Sequence, residues 1–195
     1  MDQIAHPPVK VRRTLTNRLL LPFARGWLAL CRISVVGAMP DLPKFVVIGA
    51  PHTTNWDLPH ALAAAVVLGI QIRWMGKASL FKWPFGGLMR WLGGIPVDRS
   101  KRNKAVSQMV ETFKAAERLV VVIPPEGTRS EVKQWKSGFY HIAAGAGVPI
   151  VLAFVNYTTR QIGVAQVFWP IGDYEADLPR IQAVYASVSP RPKTG

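Results

Sequence analysis

Pro51-His52-Thr53-Thr54-Asn55-Trp56-Asp57 sits between two apolar stretches, and the reading of those flanks decides the fold. Before it, Phe45-Val46-Val47-Ile48 is short, apolar and rich in β-branched residues, which predicts a buried strand. After it, residues 58–70 are dense in Ala, Leu and Val and predict a buried helix. Pro51 and the Thr/Asn/Asp cluster favour a sharp turn between the two. His52 and Asp57 would not share a face of one regular helix, because five positions rotate by about 140° at 3.6 residues per turn. They can meet if the chain turns from strand to helix between them. The imidazole would then be held by a carboxylate at the carboxyl end of a strand, where open α/β sheets place their chemistry. A histidine that merely caps the turn is the structural alternative.

The rest of the chain extends this alternation. Residues 71–75 read as a second strand, and 76–87 as a loop or short helix that is both aromatic and basic. An apolar patch at 88–92 precedes Gly93-Gly94-Ile95-Pro96-Val97-Asp98-Arg99, a short strand emptying into a loop. Val106, Met109, Val110, Phe113 and Ala116 fall on one side of a helix over 103–117. Residues 119–123 form a buried strand that stops at Pro124-Pro125-Glu126-Gly127-Thr128-Arg129-Ser130. A helix over 137–146 follows, then a buried strand at 149–155, a paired extension at 162–169, and a last helix or strand at 178–187. The expected fold is α/β: a single domain with a central, mostly parallel or mixed sheet flanked by helices. An amphipathic helical segment precedes it. The expected organisation is 1–40 as a basic N-terminal segment, 41–189 as the globular domain and 190–195 as a mobile tail.

Charge adds a second theme. The 195 residues carry a net +13, of which residues 1–104 hold +11 and residues 105–195 only +2. A lopsided positive field suits an anionic partner, whether membrane surface, phosphate-bearing substrate or nucleic acid. In residues 11–35, Leu15, Leu19, Phe23, Trp27 and Leu30 alternate with Arg12, Arg18, Arg25 and Arg32, and Pro22 implies a kink. Such a helix either lies in a membrane surface or packs its apolar side on the domain. The arginines interrupt any spanning stretch of about 20 apolar residues and any signal-peptide core. Cys31 is a single cysteine, so no internal disulfide is expected, and a reducing compartment is the natural setting.

Three clusters carry candidate chemistry. His52 and Asp57 suit a base and its orienter, since a carboxylate that accepts one ring N–H leaves the other nitrogen free to take a proton. Glu126, Gly127, Thr128 and Arg129 follow a buried strand, and Arg129 suits bidentate phosphate binding; an ordinary polar loop is the alternative. Asp98 and Arg99, with Lys101, Arg102 and Lys104, form another phosphate-like patch; a solvated basic helix start is the alternative, more so for the last three than for Arg99. His60 invites a metal reading, but no further His/Cys/Asp/Glu cluster completes a site, so no metal is expected. His141 reads as a core histidine. The chain lacks a G-x-S-x-G elbow, a G-x-x-x-x-G-K-[ST] loop and a G-x-G-x-x-G turn.

Taken in order, these stretches resemble the lysophospholipid (glycerolipid) acyltransferase family. Its His-x4-Asp block is matched by residues 52–57, and its Gly-x-Ile-x-x-Asp-Arg block by residues 93–99. Its Pro-Glu-Gly-Thr-Arg-Ser block is matched by residues 125–130 and its Val-Pro-Ile block by residues 148–150. Lys77, Leu80, Pro84, Phe85 and Gly86 resemble the linker between the first two blocks, and the chain departs from the pattern at Pro51 and Pro124. Each block is weak alone; four in order over roughly residues 43–170 are specific. The resemblance implies that His52 takes the proton of an acceptor hydroxyl while Asp57 orients it. It implies that Arg99 and Arg129 hold the acceptor phosphate, with Glu126, Gly127 and Thr128 shaping the site beside them. The expected donor is acyl-CoA or acyl carrier protein, used as substrate, with no cofactor. The expected acceptor is a lysophospholipid, most naturally 1-acyl-glycerol-3-phosphate, with another lyso-lipid as the alternative. The expected setting is an anionic membrane surface, peripherally on its cytoplasmic face. A non-catalytic module binding nucleic acid or anionic lipid would explain the charge but not the four ordered blocks, so nucleic acid is not expected as a partner.

Overall fold

A computed structural model describes residues 15–50, 56–91, 93–97, 102–126 and 135–188. Among these residues, seven strands form one sheet in the order β1-β7-β6-β2-β5-β3-β4. The strands are β1 (Ser34–Val36), β2 (Lys44–Gly49), β3 (Ile72–Lys77), β4 (Gly94–Val97), β5 (Leu119–Val122), β6 (Ile150–Asn156) and β7 (Gln161–Phe168). β2 to β6 run parallel, while β7 is antiparallel to β6 and pairs in parallel with β1. The sheet is therefore mixed, as the alternation of strands and helices predicts. The helices are α1 (Leu15–Leu30), α2 (Asp57–Leu68), α3 (Gly86–Trp91), α4 (Arg102–Ala115), α5 (Gly138–Ala146) and α6 (Tyr174–Val188), with a short 3-10 helix at Ala78–Phe81.

β2 is buried on both sides, which is why its sequence is continuously apolar rather than alternating. Val46 and Ile48 face a large core shared with Met109 and Phe113 of α4, Phe139 and Ile142 of α5, and Ile181 and Tyr185 of α6. Phe45 and Val47 point to the other face, beside Val151 of β6. There Ala24 and Leu28 of α1 pack against Ala63 of α2 in a cluster that Val35 of β1 joins. Two of the crossover helices end on a glycine. α2 ends at Gly69 and α5 at Gly147, both in the left-handed region (φ 73° and 65°), and each glycine N–H closes the last turn on carbonyls behind it.

One open local reading is settled and two change. The last segment is a helix, α6, with Pro179 inside its first turns, and Tyr140 of α5 holds its start by donating to the fully buried Asp177 (2.7 Å). Burial and that bond push the Tyr140 phenol up to about 12. β1 is a strand that the sequence reading ran into the N-terminal helix; Ile33-Ser34-Val35-Val36 is β-branched, but too short to show a period. His141 is exposed, contrary to the expected core histidine, because α5 turns it outward, with its ring 6.1 Å from that of Tyr174. Pro22 lies inside one continuous α1.

Candidate active site

The five parallel strands deliver the chain to one edge of the sheet. Gly49 at the end of β2 pairs with Ala153 of β6, Val47 with Val122 at the end of β5, and Lys77 at the end of β3 with Val97 at the end of β4. Each stretch singled out from the sequence follows one of these carboxyl ends: residues 51–57 after β2, 98–99 after β4 and 124–130 after β5. β2 lies between β5 and β6 and is the middle strand of the seven. Carboxyl ends of parallel strands are where such sheets gather ligands and catalytic groups.

Two of the expected site residues fall within the described structure. Asp57 is the first residue of α2 and is 4% exposed. A carboxylate there is favoured by the positive end of the helix dipole. The Tyr157 hydroxyl, one residue beyond β6, donates to its Oδ1 in a short hydrogen bond. Glu126 follows β5 and is also buried. It faces Tyr185, whose phenol is raised well above its ordinary value, first by burial and then by the Glu126 charge. Tyr185 shares its hydroxyl proton between the carbonyls of Ile48 (2.8 Å) and Ala153 (3.0 Å), which ties α6 to β2 and β6 just before they end. Trp135 packs its ring edge-on against Tyr185, and the Lys136 N–H donates to the Pro125 carbonyl (2.8 Å). His52, Arg99, Gly127, Thr128 and Arg129 lie outside the described residues.

A histidine that the sequence offered only as a metal ligand has another role. His60, one turn along α2 from Asp57, is 5% exposed, and the indole N–H of Trp27 donates to its Nδ1 (3.1 Å). An accepting Nδ1 places the ring proton on Nε2 in the neutral form. Burial lowers the His60 pKa from 6.5, and the Asp57 charge opposes that shift only in part. Trp27 also stacks on Trp56, with ring centroids 6.0 Å apart. Helix α1 is thereby fastened to the amino end of α2. An apolar groove of about 550 Å³ runs outward from this junction, lined by Trp27, Phe23 and Leu20 of α1 and by Pro59, Leu62 and Val66 of α2. Among the described residues, no group of three or more His, Cys, Asp or Glu side chains could hold a metal ion.

Tyr157, Trp27 and Tyr185 were not legible as site residues. Tyr157 had a faint signal, a polar run Asn156-Tyr157-Thr158-Thr159 straight after a buried strand. The other two had none, since their hydrogen-bond partners lie 32 residues away or more.

A family model described as Acyltransferase matches residues 32–154, more than half of the chain. The chain belongs to the acyltransferase family. The match takes in β1 to β5 and most of β6, and with them the carboxyl ends of β2, β3, β4 and β5. This acyltransferase chain is 34% identical over 122 residues to the 1-acyl-sn-glycerol-3-phosphate acyltransferase of Escherichia coli (strain K12), covering 59% of the chain and 48% of the relative. It is 34% identical over 130 residues to the protein of the same description from Haemophilus influenzae, covering 64% of the chain and 52% of the relative. The chain spans about half the length of the curated relatives it matches. Its fold is similar to the crystal structure of the 1-acyl-sn-glycerophosphate (LPA) acyltransferase PlsC from Thermotoga maritima. The TM-score is 0.60 at 21% identity, over 88% of this chain and 76% of that one.

Proposed function

We propose that this chain transfers a fatty acyl group from a thioester, acyl-CoA or acyl carrier protein, to the free hydroxyl of a lysophospholipid, with 1-acyl-glycerol-3-phosphate as the acceptor. One observation carries the reading. The last member of a His-x4-Asp block, Asp57, is a buried carboxylate at the amino end of a helix, at the carboxyl edge of the sheet, in a chain of this family. The names of the relatives, 1-acyl-sn-glycerol-3-phosphate acyltransferases, support the choice of acceptor.

In this scheme His52 takes the hydroxyl proton as the acceptor oxygen bonds to the thioester carbonyl carbon. Collapse of the tetrahedral adduct breaks the C–S bond, and His52 returns the proton to the departing thiolate. Asp57 fixes the imidazole tautomer and stabilises the imidazolium between the two steps. Arg99 and Arg129 hold the acceptor phosphate as bidentate donors, and Glu126, Gly127 and Thr128 shape the site beside them. The reaction is placed peripherally at the cytoplasmic face of an anionic membrane. The apolar side chains Leu19, Phe23 and Leu30, exposed on α1 among Arg18, Arg25 and Arg32, support that setting.

Positioned general-base help is worth about 10²–10⁴-fold in rate. His52→Ala is therefore expected to lower acyl transfer from acyl-CoA to lysophosphatidate by about 10³-fold, with an unchanged far-ultraviolet circular dichroism spectrum. Wild-type turnover in that variant would remove the base. A panel of lyso-lipid acceptors, with products identified by mass spectrometry, tests the acceptor.

A further inference from the structure

The stretch between β3 and β4 was read as aromatic and basic, and the proposed chemistry leaves it unused. It leaves β3 at the same sheet edge as the candidate site and builds the 3-10 helix Ala78–Phe81 and α3. These elements stand beside β4, the edge strand opposite β1. Phe81 pins them. It is 6% exposed, and its ring lies so close to β3 and β4 that a Cβ added at Gly76 or at Gly94 would approach it to 2.7 Å. Arg90 of α3 lies over the same ring and donates to the Phe81 and Gly86 carbonyls.

On that fixed base, five large apolar side chains point into solvent: Leu80, Trp83 (93% exposed), Phe85 (64%), Leu88 and Trp91 (74%). Scattered exposed apolar groups are ordinary, but a cluster of this kind on one short segment marks an interaction surface. Its charge selects the partner. From residue 58 to residue 97 the chain holds Arg73, Lys77, Lys82 and Arg90 and no acidic residue, and all four are exposed. A two-fold contact between two copies of this face would set like charges against one another. Exposed tryptophans on a stretch whose charged side chains are all cationic match the interfacial zone of an anionic bilayer, where indole rings settle at headgroup level and Lys/Arg meet lipid phosphates.

We propose that this platform is a lipid-binding surface, separate from α1, that seats the β4 edge of the sheet on an anionic bilayer. It deepens the acyltransferase reading and rests on the acceptor being a membrane lipid.

The test uses the full chain carrying Trp83→Ser and Trp91→Ser together, and in parallel Lys82→Glu. Both variants change exposed side chains. Flotation with vesicles of phosphatidylglycerol and phosphatidylethanolamine is expected to show at least a tenfold loss of partition for each variant, with weaker binding of the wild type to pure phosphatidylcholine. Transfer to lysophosphatidate embedded in those vesicles should fall in step. Transfer to a short-chain lysophosphatidate dissolved below its micellar concentration should stay within about twofold of wild type. Undiminished partition overturns the proposal. So does a variant that keeps its vesicle binding but loses self-association, or turnover with acyl carrier protein as donor. Partition is read without turnover, so an inactive wild type that still shows the tenfold loss would overturn the acyltransferase reading and leave the platform standing.

Discussion

Tyr157 and Asp57 come from sequence positions a hundred apart and meet because β6 and β2 are neighbours in register. The bond holds the buried carboxylate in one rotamer, and in the proposed mechanism that carboxylate sets the imidazole of His52. Partners one step removed from a reacting group commonly contribute 10–100-fold. Tyr157→Phe keeps the ring and removes the donor. It is expected to lower kcat by about tenfold or more, with KM for both substrates within twofold of wild type, as read from steady-state kinetics. His60 supplies a prediction of a different kind. Its folded pKa is depressed below 6.5, so its neutral form is favoured by folding. That contribution is complete above about pH 6.5 and is lost as pH falls, because the unfolded chain then takes up a proton that the folded chain refuses. Protonation would also set an imidazole N–H against the Trp27 N–H that it now accepts. Urea unfolding of the wild type should weaken between pH 7.5 and 5.5, and His60→Gln should flatten that slope whatever its own effect on stability.

At the scale of elements, α1 is both a packing helix and a carrier of exposed apolar groups. Asn17, Ala24 and Leu28 are buried on α2 at helical spacing, while Leu19, Phe23 and Leu30 face outward. The two readings left open for this segment thus describe two sides of one helix, with the packing side shown and the membrane side proposed. Leu28 is 3% exposed and sits at the centre of the contact. Leu28→Ala removes buried methyl and methylene groups and leaves a void, at an expected cost of about 3 kcal/mol in urea unfolding. The same substitution loosens the helix that carries Trp27, so turnover should fall with stability. Elements with a strong apolar pattern were legible from sequence: the continuous apolar runs of β2, β5 and β6 and the helical period of α4 fall where the structure has them. β1 was not, because three residues carry no period. α6 was ambiguous because Pro179 argues against a helix, and only the buried Tyr140–Asp177 bond shows what anchors its start.

For the molecule as a whole, the uneven charge, the aromatic platform and the strand ends are features of one architecture. Local pattern determined the order of the elements from β2 to β7, the α/β class and the blocks that define the family, because burial writes an apolar pattern into sequence and reactive groups cluster after buried strands. It also marked Asp57 and Glu126, both of which the fold buries at the same sheet edge. Strand order was beyond it. β5 inserts between β2 and β3, and β7 turns antiparallel beside β6. Nothing in a linear pattern specifies which neighbour a strand takes. That choice brings Tyr157 to Asp57 and Tyr185 to the strand ends, and the packing of α1 on α2 brings Trp27 to His60; hydrogen bonds between distant residues leave no signal at either position alone.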